Sequence, residues 1–203
     1  TVMMYLSLIS NHVSAILDNA YIHLKTKRLA DTDGLTNIHN HRAFQEILSK
    51  EINRHNHTKS KLALVIADID DFKKVNDTYG HLTGDSVLRS VSSIMKDSIR
   101  SMDTLARYGG EEFGIIVPET EPEGVKLVAE RIRSRIESFP FTSEDGIQIK
   151  ITMTMGVAFS HGSREVQKAE MIEKADKALY KGKNEGKNRV VFSPGENMES
   201  QTE

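Results

Sequence analysis

ARYGGEEFGIIV, Ala106 to Val117, decides how the chain folds. Two apolar, strand-forming runs flank Gly109-Gly110-Glu111-Glu112, so the stretch reads as a β-hairpin whose tip carries two adjacent carboxylates. Taken alone, such a tip is a tight turn with solvated charges, a common surface feature. Its meaning depends on what the rest of the chain brings beside it.

Upstream, Leu62 to Ala67 is wholly apolar, as expected of a central strand covered on both faces, and it runs into Asp68. Helical spacing follows from Asp71 to Thr78 and roughly from Thr83 to Arg100, where Leu88, Val91, Met95 and Ile99 recur at intervals of three and four. Beyond the hairpin, Val125, Val128, Ile132, Ile136 and Phe139 mark another helix. From Ile147 to Phe159 apolar residues alternate with Gln148, Lys150, Thr152 and Thr154, the period of a half-buried strand. A last helix turns Ile172, Ala175 and Leu179 inward and leads to a short strand at Arg189 to Phe192.

The order β, αα, β-hairpin-β, α, β predicts an α+β fold, a ferredoxin-like, palm-type βααββαβ sheet with extra elements. A right-handed crossover returns the second strand parallel to the first, so both finish at one sheet edge. That brings Asp68 and Asp70 toward Glu111 and Glu112. Four carboxylates so placed raise one another's proton affinity unless a cation sits among them. Oxygen ligands suit a hard ion, Mg²⁺ or Mn²⁺, and Mg²⁺ is usually held by one or two carboxylates together with substrate phosphates. Gly109 and Gly110 lack a Cβ where a phosphate-bearing ligand would approach the backbone.

The N-terminal region reads differently. Val2, Leu6, Ile9, Val13, Ile16, Ala20, His23, Lys27 and Ala30 keep a heptad rhythm, which favours a dimerising helical stalk over an amphipathic helix packed on its own domain. After the turn-rich segment ADTDGLTNIHNHRAF, a helix with Phe44, Ile47, Leu48 and Ile52 on one face ends in the polar loop HNHTKSK. The expected organisation is a helical stalk over residues 1–31, a folded domain over 32–192 and a disordered tail over 193–203.

Composition sets limits. The 203 residues carry a net charge of −2, without the basic excess of a duplex nucleic-acid binder. With no cysteine there is neither disulfide nor thiolate chemistry, which fits a reducing, cytoplasmic setting. Ser7, Ser10, Asn11, His12 and Ser14 break up the uncharged start, so no run of about 18 apolar residues predicts a membrane span. No basic segment precedes an apolar stretch there, which argues against a secretory signal. The opening Thr suggests a piece of something longer, whose parent could be membrane-attached. The eight histidines show no metal-ligand spacing, and His81 is expected only to pack beside the loop it adjoins.

Three more motifs accompany GGEEF: DGLTNIHNHR (Asp33 to Arg42), DIDDFKKVNDTYGHLTGD (Asp68 to Asp85) and ALYKGKNEGKNRVV (Ala178 to Val191). In this order the four resemble the GGDEF family, the diguanylate cyclases, over roughly Asp31 to Phe192. The resemblance implies a homodimer in which each domain holds one GTP, the two being joined into cyclic di-GMP with loss of two pyrophosphates. It implies two divalent ions per active site on Asp68, the Ile69 carbonyl and Glu111. Glu112 is then a further ligand or the acceptor of the 3′-hydroxyl proton. Asn76 and Asp85 match the guanine readers, Phe72 and Lys73 the loop over the phosphates, and Lys183 and Lys187 two basic triphosphate contacts. Lys187 stands where the family usually has Arg, and Gly182 where Ala is common. Arg100-Ser-Met-Asp103 resembles the RxxD inhibitory site for product, with Arg131 as a second arginine. Asp33, Leu35, Thr36, Asn40 and Arg42 match the turn that couples stalk to domain. Competing readings are a non-catalytic cyclic di-GMP receptor signalling through the stalk, a cyclase that also accepts ATP, and a palm-like phosphoryl-transfer enzyme for another nucleotide.

Overall fold

The structure is a computed structural model that describes residues 16–17 and 31–194. The stalk expected over residues 1–31 lies outside the described residues apart from Ile16, Leu17 and Asp31, and so does the tail beyond Pro194. From Asp33 onward the described chain is one compact unit.

Its elements are α1 (His41–Thr58), β1 (Leu62–Ile69), α2 (Phe72–Tyr79), α3 (His81–Lys96), β2 (Thr104–Arg107), β3 (Glu112–Pro118), α4 (Pro122–Ser138), β4 (Phe141–Thr142), β5 (Gln148–Ile149), β6 (Met153–Ser160), α5 (Lys168–Asn184) and β7 (Val190–Phe192). The main sheet has the order β2-β3-β1-β6-β7. β1 pairs antiparallel with β3 and β6, β3 antiparallel with β2, and β7 parallel with β6. The four strands β2-β3-β1-β6 are the ferredoxin-like arrangement predicted from element order, and β7 adds a fifth at one edge.

Strand periodicity explains why β1 is apolar throughout. Ala63, Val65, Ala67 and Ile69 point into a core built with Phe72 and Val75 of α2, Val87, Leu88 and Val91 of α3, and Val125, Ile132 and Ile136 of α4. Leu62, Leu64 and Ile66 point the other way, against Phe44, Leu48 and Ile52 of α1 and Met171, Ala175 and Leu179 of α5. Helices cover both faces, so neither half of the alternation can be polar.

The same geometry corrects two expectations. The strand predicted from Ile147 to Phe159 is divided: Gln148 and Ile149 pair with β4 in a separate hairpin, Lys150 to Thr152 are irregular, and β6 begins at Met153. Thr152 is drawn out of the ladder because its carbonyl accepts from the Asp70 amide at 2.9 Å and its hydroxyl donates to Asp70 Oδ2 at 2.8 Å. β6 is also buried along its whole length, not on one face alone. Its second face is small because α5 lies directly on it: a Cβ on Gly156 would sit 2.1 Å from the Ala175 carbonyl oxygen. Alternation with Thr, Gly, Ala and Ser here marks close helix packing, not solvent.

Helix limits follow local chemistry. The Asn40 side chain caps α1 by accepting from the Ala43 amide at 3.0 Å. This helix continues through the expected polar loop to Thr58 and buries His55, which meets the Ser160 hydroxyl at 3.0 Å. α2 and α3 lie within a few residues of prediction, although α3 stops at Lys96, short of Arg100.

Candidate active site

Asp68 and Glu112 are direct cross-strand partners at the end of the β1–β3 ladder, and the Ile69 amide donates to the Glu111 carbonyl at 3.3 Å. The convergence argued from topology is therefore present. Asp68 is 6% exposed, and its only ion-pair partner among the described residues is Lys183 of α5, Nζ to Oδ2 2.7 Å. Burial pushes the Asp68 carboxyl above the ordinary range; Lys183 opposes this, while Glu111 and Asp70 add to it. A buried carboxylate repelled by two others fits a site completed by a cation.

Asp70 was expected in the same crowd, but its carboxylate is already engaged. It accepts from Thr154 Oγ1 at 2.6 Å, Thr152 Oγ1 at 2.8 Å and the Asn188 amide at 3.0 Å. It anchors the sheet edge and has little capacity left for a metal. Among the described residues no group of three or more His, Cys, Asp or Glu side chains is gathered as a metal cluster. Asp68, Glu111 and a backbone carbonyl, with substrate phosphates for the rest, are nevertheless a donor set that suits Mg²⁺.

The hairpin tip is shaped by its two glycines in different ways. A Cβ on Gly109 would lie 2.4 Å from Glu112 Oε2, so that glycine makes room for the Glu112 carboxylate. A Cβ on Gly110 would meet nothing within 4 Å, which leaves its side open to a ligand. Glu112 shares its surroundings with two groups that sequence reasoning did not single out. The Asp176 carboxyl is raised by burial and by Glu112, and the Tyr108 phenol by burial, Asp176 and Glu112.

Arg107 was also missed as a site residue, though it lies inside the quoted stretch, two residues before Gly109. Its Nη2 and Nε donate to the Gly110 carbonyl at 2.8 and 3.1 Å, and its Nη1 pairs with Asp33 at 3.2 Å. The Asp33 carboxylate also accepts from the Thr36 amide at 2.9 Å and hydroxyl at 2.6 Å. Burial raises the Asp33 carboxyl, but Thr36 and Arg107 outweigh it and hold the group below its usual value. One guanidinium thus ties the DGLT turn to the hairpin tip.

Around this centre the other expected residues fall as follows. Phe72 is buried, so only its backbone faces the loop; Lys73 is exposed. Lys187 reaches Asp71, Nζ to Oδ1 2.7 Å. Asn76 and the N-terminal turn of α3 are in contact, since a Cβ on Gly84 would lie 1.9 Å from Asn76 Oδ1; half-buried Asp85 follows Gly84 directly. In the RSMD turn Asp103 is buried and accepts from the Arg100 amide at 2.8 Å through Oδ2, while Oδ1 has no partner. Burial pushes Asp103 up, against the Arg100 amide bond and the charges of Arg100 and Arg131. Both arginines are exposed, and Arg131 donates to the Ser98 carbonyl.

A ferredoxin-like core with carboxylates from two strands at one edge defines an α+β domain of the palm type. The chain belongs to the GGDEF family: the family described as "Diguanylate cyclase, GGDEF domain" matches residues 30–189. Diguanylate cyclase DosC of Escherichia coli (strain K12) is 40% identical over 158 residues, 78% of this chain and 34% of that protein. Diguanylate cyclase A of Treponema denticola is 38% identical over 189 residues, 90% of this chain and 50% of that protein. The chain therefore spans between a third and a half of these curated relatives. Among solved structures, the coiled coil and GGDEF domain of DgcB from Caulobacter crescentus in complex with c-di-GMP superposes with a TM-score of 0.82 at 33% identity, covering 93% of this chain and 99% of that one. The active GGEEF domain of a diguanylate cyclase from Vibrio cholerae gives 0.69 at 31% identity, covering 80% and 98%.

Proposed function

We propose that this chain is the catalytic part of a diguanylate cyclase, which condenses two GTP into cyclic di-GMP and two pyrophosphates. The observation that carries the reading is Asp68, buried and cross-strand to Glu112, with Glu111 repelling it and a lysine as its only ionic partner among the described residues. Asp68, the Ile69 carbonyl and Glu111 would hold Mg²⁺ or Mn²⁺. When bound, paired ions neutralise charge on the attacking and leaving oxygens of the α-phosphate.

The protein's own groups do the rest. Lys183 and Lys187 contribute positive charge for the triphosphate, and backbone amides at the start of α2 contribute donors. Asp85 accepts from the guanine N1–H and amino group, and Asn76 completes that edge, which favours GTP over ATP. Glu112, beside Gly109, would serve as a further ligand or as acceptor of the 3′-hydroxyl proton. Each domain supplies half of the reaction, so a homodimer is required, and the residues 1–31 would bring the halves together. Arg100, Asp103 and Arg131 would bind product in feedback inhibition; the DgcB domain in complex with c-di-GMP supports that class of ligand.

The test is incubation of the protein with GTP, ATP or both, with Mg²⁺, products being resolved by chromatography. Cyclic di-GMP from GTP alone, at a rate rising more than linearly with protein concentration, is expected. Absence of pyrophosphate and cyclic dinucleotide at high protein concentration would overturn the reading.

A further inference from the structure

Resting on the reading above, we propose that Asn188 is a positioning residue for the triphosphate-binding Lys187, which it holds in place through a clamp on α4.

The loop after α5 takes an unfavourable path. Gly186, Lys187 and Asn188 have consecutive φ values of 112°, 61° and 48°, the left-handed region. Glycine accepts this freely and asparagine fairly readily, but lysine does not. The first part of the path is a helix C-cap: the Lys187 amide donates to the Gly182 carbonyl at 3.0 Å, the long bond of a Schellman motif. Nothing in that motif demands a second and third left-handed residue. What holds them is Asn188.

Every hydrogen-bonding group of its side chain, and its amide, is taken. The backbone N–H donates to Asp70 Oδ2 at 3.0 Å. The side-chain Nδ2 donates to Glu137 Oε1 at 2.9 Å, and Oδ1 accepts from Arg133 Nη1 at 2.9 Å. Arg133 also donates to Glu137 Oε2 at 2.8 Å and to Glu130 Oε2 at 2.8 Å, so the two α4 residues are fixed to each other before they grip the asparagine. Asp70 in turn is fixed to β6 and its approach by Thr154 and Thr152. The loop is therefore pinned to the sheet by one bond and to α4 by two.

The residue so pinned is the neighbour of a substrate cation. Lys187 crosses to Asp71 at 2.7 Å, and Asp71 is itself left-handed, φ 56°, immediately before α2. Lys has a flexible stem and a single ammonium, without the planar fork that would self-align on phosphate, so its placement depends on its backbone. A left-handed backbone over-determined by a neighbouring amide is the pattern expected where strain serves a site.

A double-mutant cycle tests this. GTP titrations of pyrophosphate release, with binding of a non-hydrolysable GTP analogue by calorimetry, compare the unaltered protein, Asn188→Ala, Lys187→Ala and the double variant. Asn188→Gly is run in parallel, because it keeps the left-handed backbone while removing the clamp. Asn188→Ala and Asn188→Gly are each expected to raise KM for GTP about tenfold with kcat nearly unchanged. In the Lys187→Ala background the same change should add nothing, since the lysine through which Asn188 acts is gone. Equal losses in both backgrounds, or a fall in kcat with KM unchanged, would overturn the inference. An unaltered protein that takes up no GTP would overturn the functional reading and this inference with it.

Discussion

Replacing Gly109 by alanine should separate the stability of this domain from its chemistry. Neither Gly109 nor Gly110 has a left-handed φ, so alanine fits the backbone at both positions. Such a change commonly stabilises by about 0.4–1 kcal/mol through the unfolded chain. The added methyl at 109 would stand 2.4 Å from Glu112 Oε2. An ordinary carbon–oxygen contact is about 1 Å longer, so the carboxylate must move by roughly that much. The colliding atom is the end of a flexible side chain, and the fold absorbs it cheaply. A displacement of about 1 Å in a group that holds a reacting oxygen or proton costs on the order of a hundredfold in rate. Gly109→Ala is therefore expected to melt no lower than the unaltered protein while kcat for pyrophosphate release falls about a hundredfold. At Gly110 the methyl meets no protein atom within 4 Å, so Gly110→Ala should act only through the ligand, raising KM for GTP. Full kcat in Gly109→Ala, or a loss that tracks unfolding, would refute the role given to the Glu112 carboxylate.

Three further outcomes follow from the same contacts. Asp70→Ala removes the acceptor of two threonine hydroxyls and the Asn188 amide, and should lower stability in urea by about 3 kcal/mol. Arg107→Ala frees both the Gly110 carbonyl and Asp33, and should lower kcat about tenfold, with Arg107→Lys restoring little because the fork onto Gly110 is lost. Burial pushes the His55 imidazole below its usual value, with the Lys59 charge adding to it and the Ser60 backbone opposing it. The folded state thus favours neutral His55 and the unfolded chain takes up the proton first, so stability is full above about pH 6.5 and declines as pH falls below it toward the lowered folded value. His55→Gln should flatten that decline in urea midpoints measured between pH 7.5 and 5.

The parts of this molecule that were readable in advance are those set by strand and helix periods. Leu62 to Ala67 announces a doubly covered strand, and the turn chemistry of GGEE together with right-handed crossovers predicts that Asp68 and the Glu111-Glu112 pair meet at one sheet edge. The rest depends on contacts between residues far apart in the chain. Thr152 and Thr154 looked like the solvent face of a strand because nothing local reveals that Asp70, 84 residues from Thr154, takes both hydroxyls. His55 sat in a polar run and could not be seen to meet Ser160, 105 residues away. Asn188 lay inside a recognised motif, yet its partners Arg133 and Glu137 belong to a helix whose sequence shows only an amphipathic pattern. Arg107 was legible in principle, as a charge at a hairpin neck facing a turn rich in Asp, but its pairing needed the close approach of residues 33–40 to β2.

Calorimetric titration of GTP into the unaltered protein and into Glu111→Gln, each with and without Mg²⁺, measures most directly whether carboxylates at this sheet edge bind a cation-bridged triphosphate. GTP uptake that requires Mg²⁺ and is lost in Glu111→Gln is the predicted result. Uptake that ignores Mg²⁺, or survives Glu111→Gln undiminished, would contradict it.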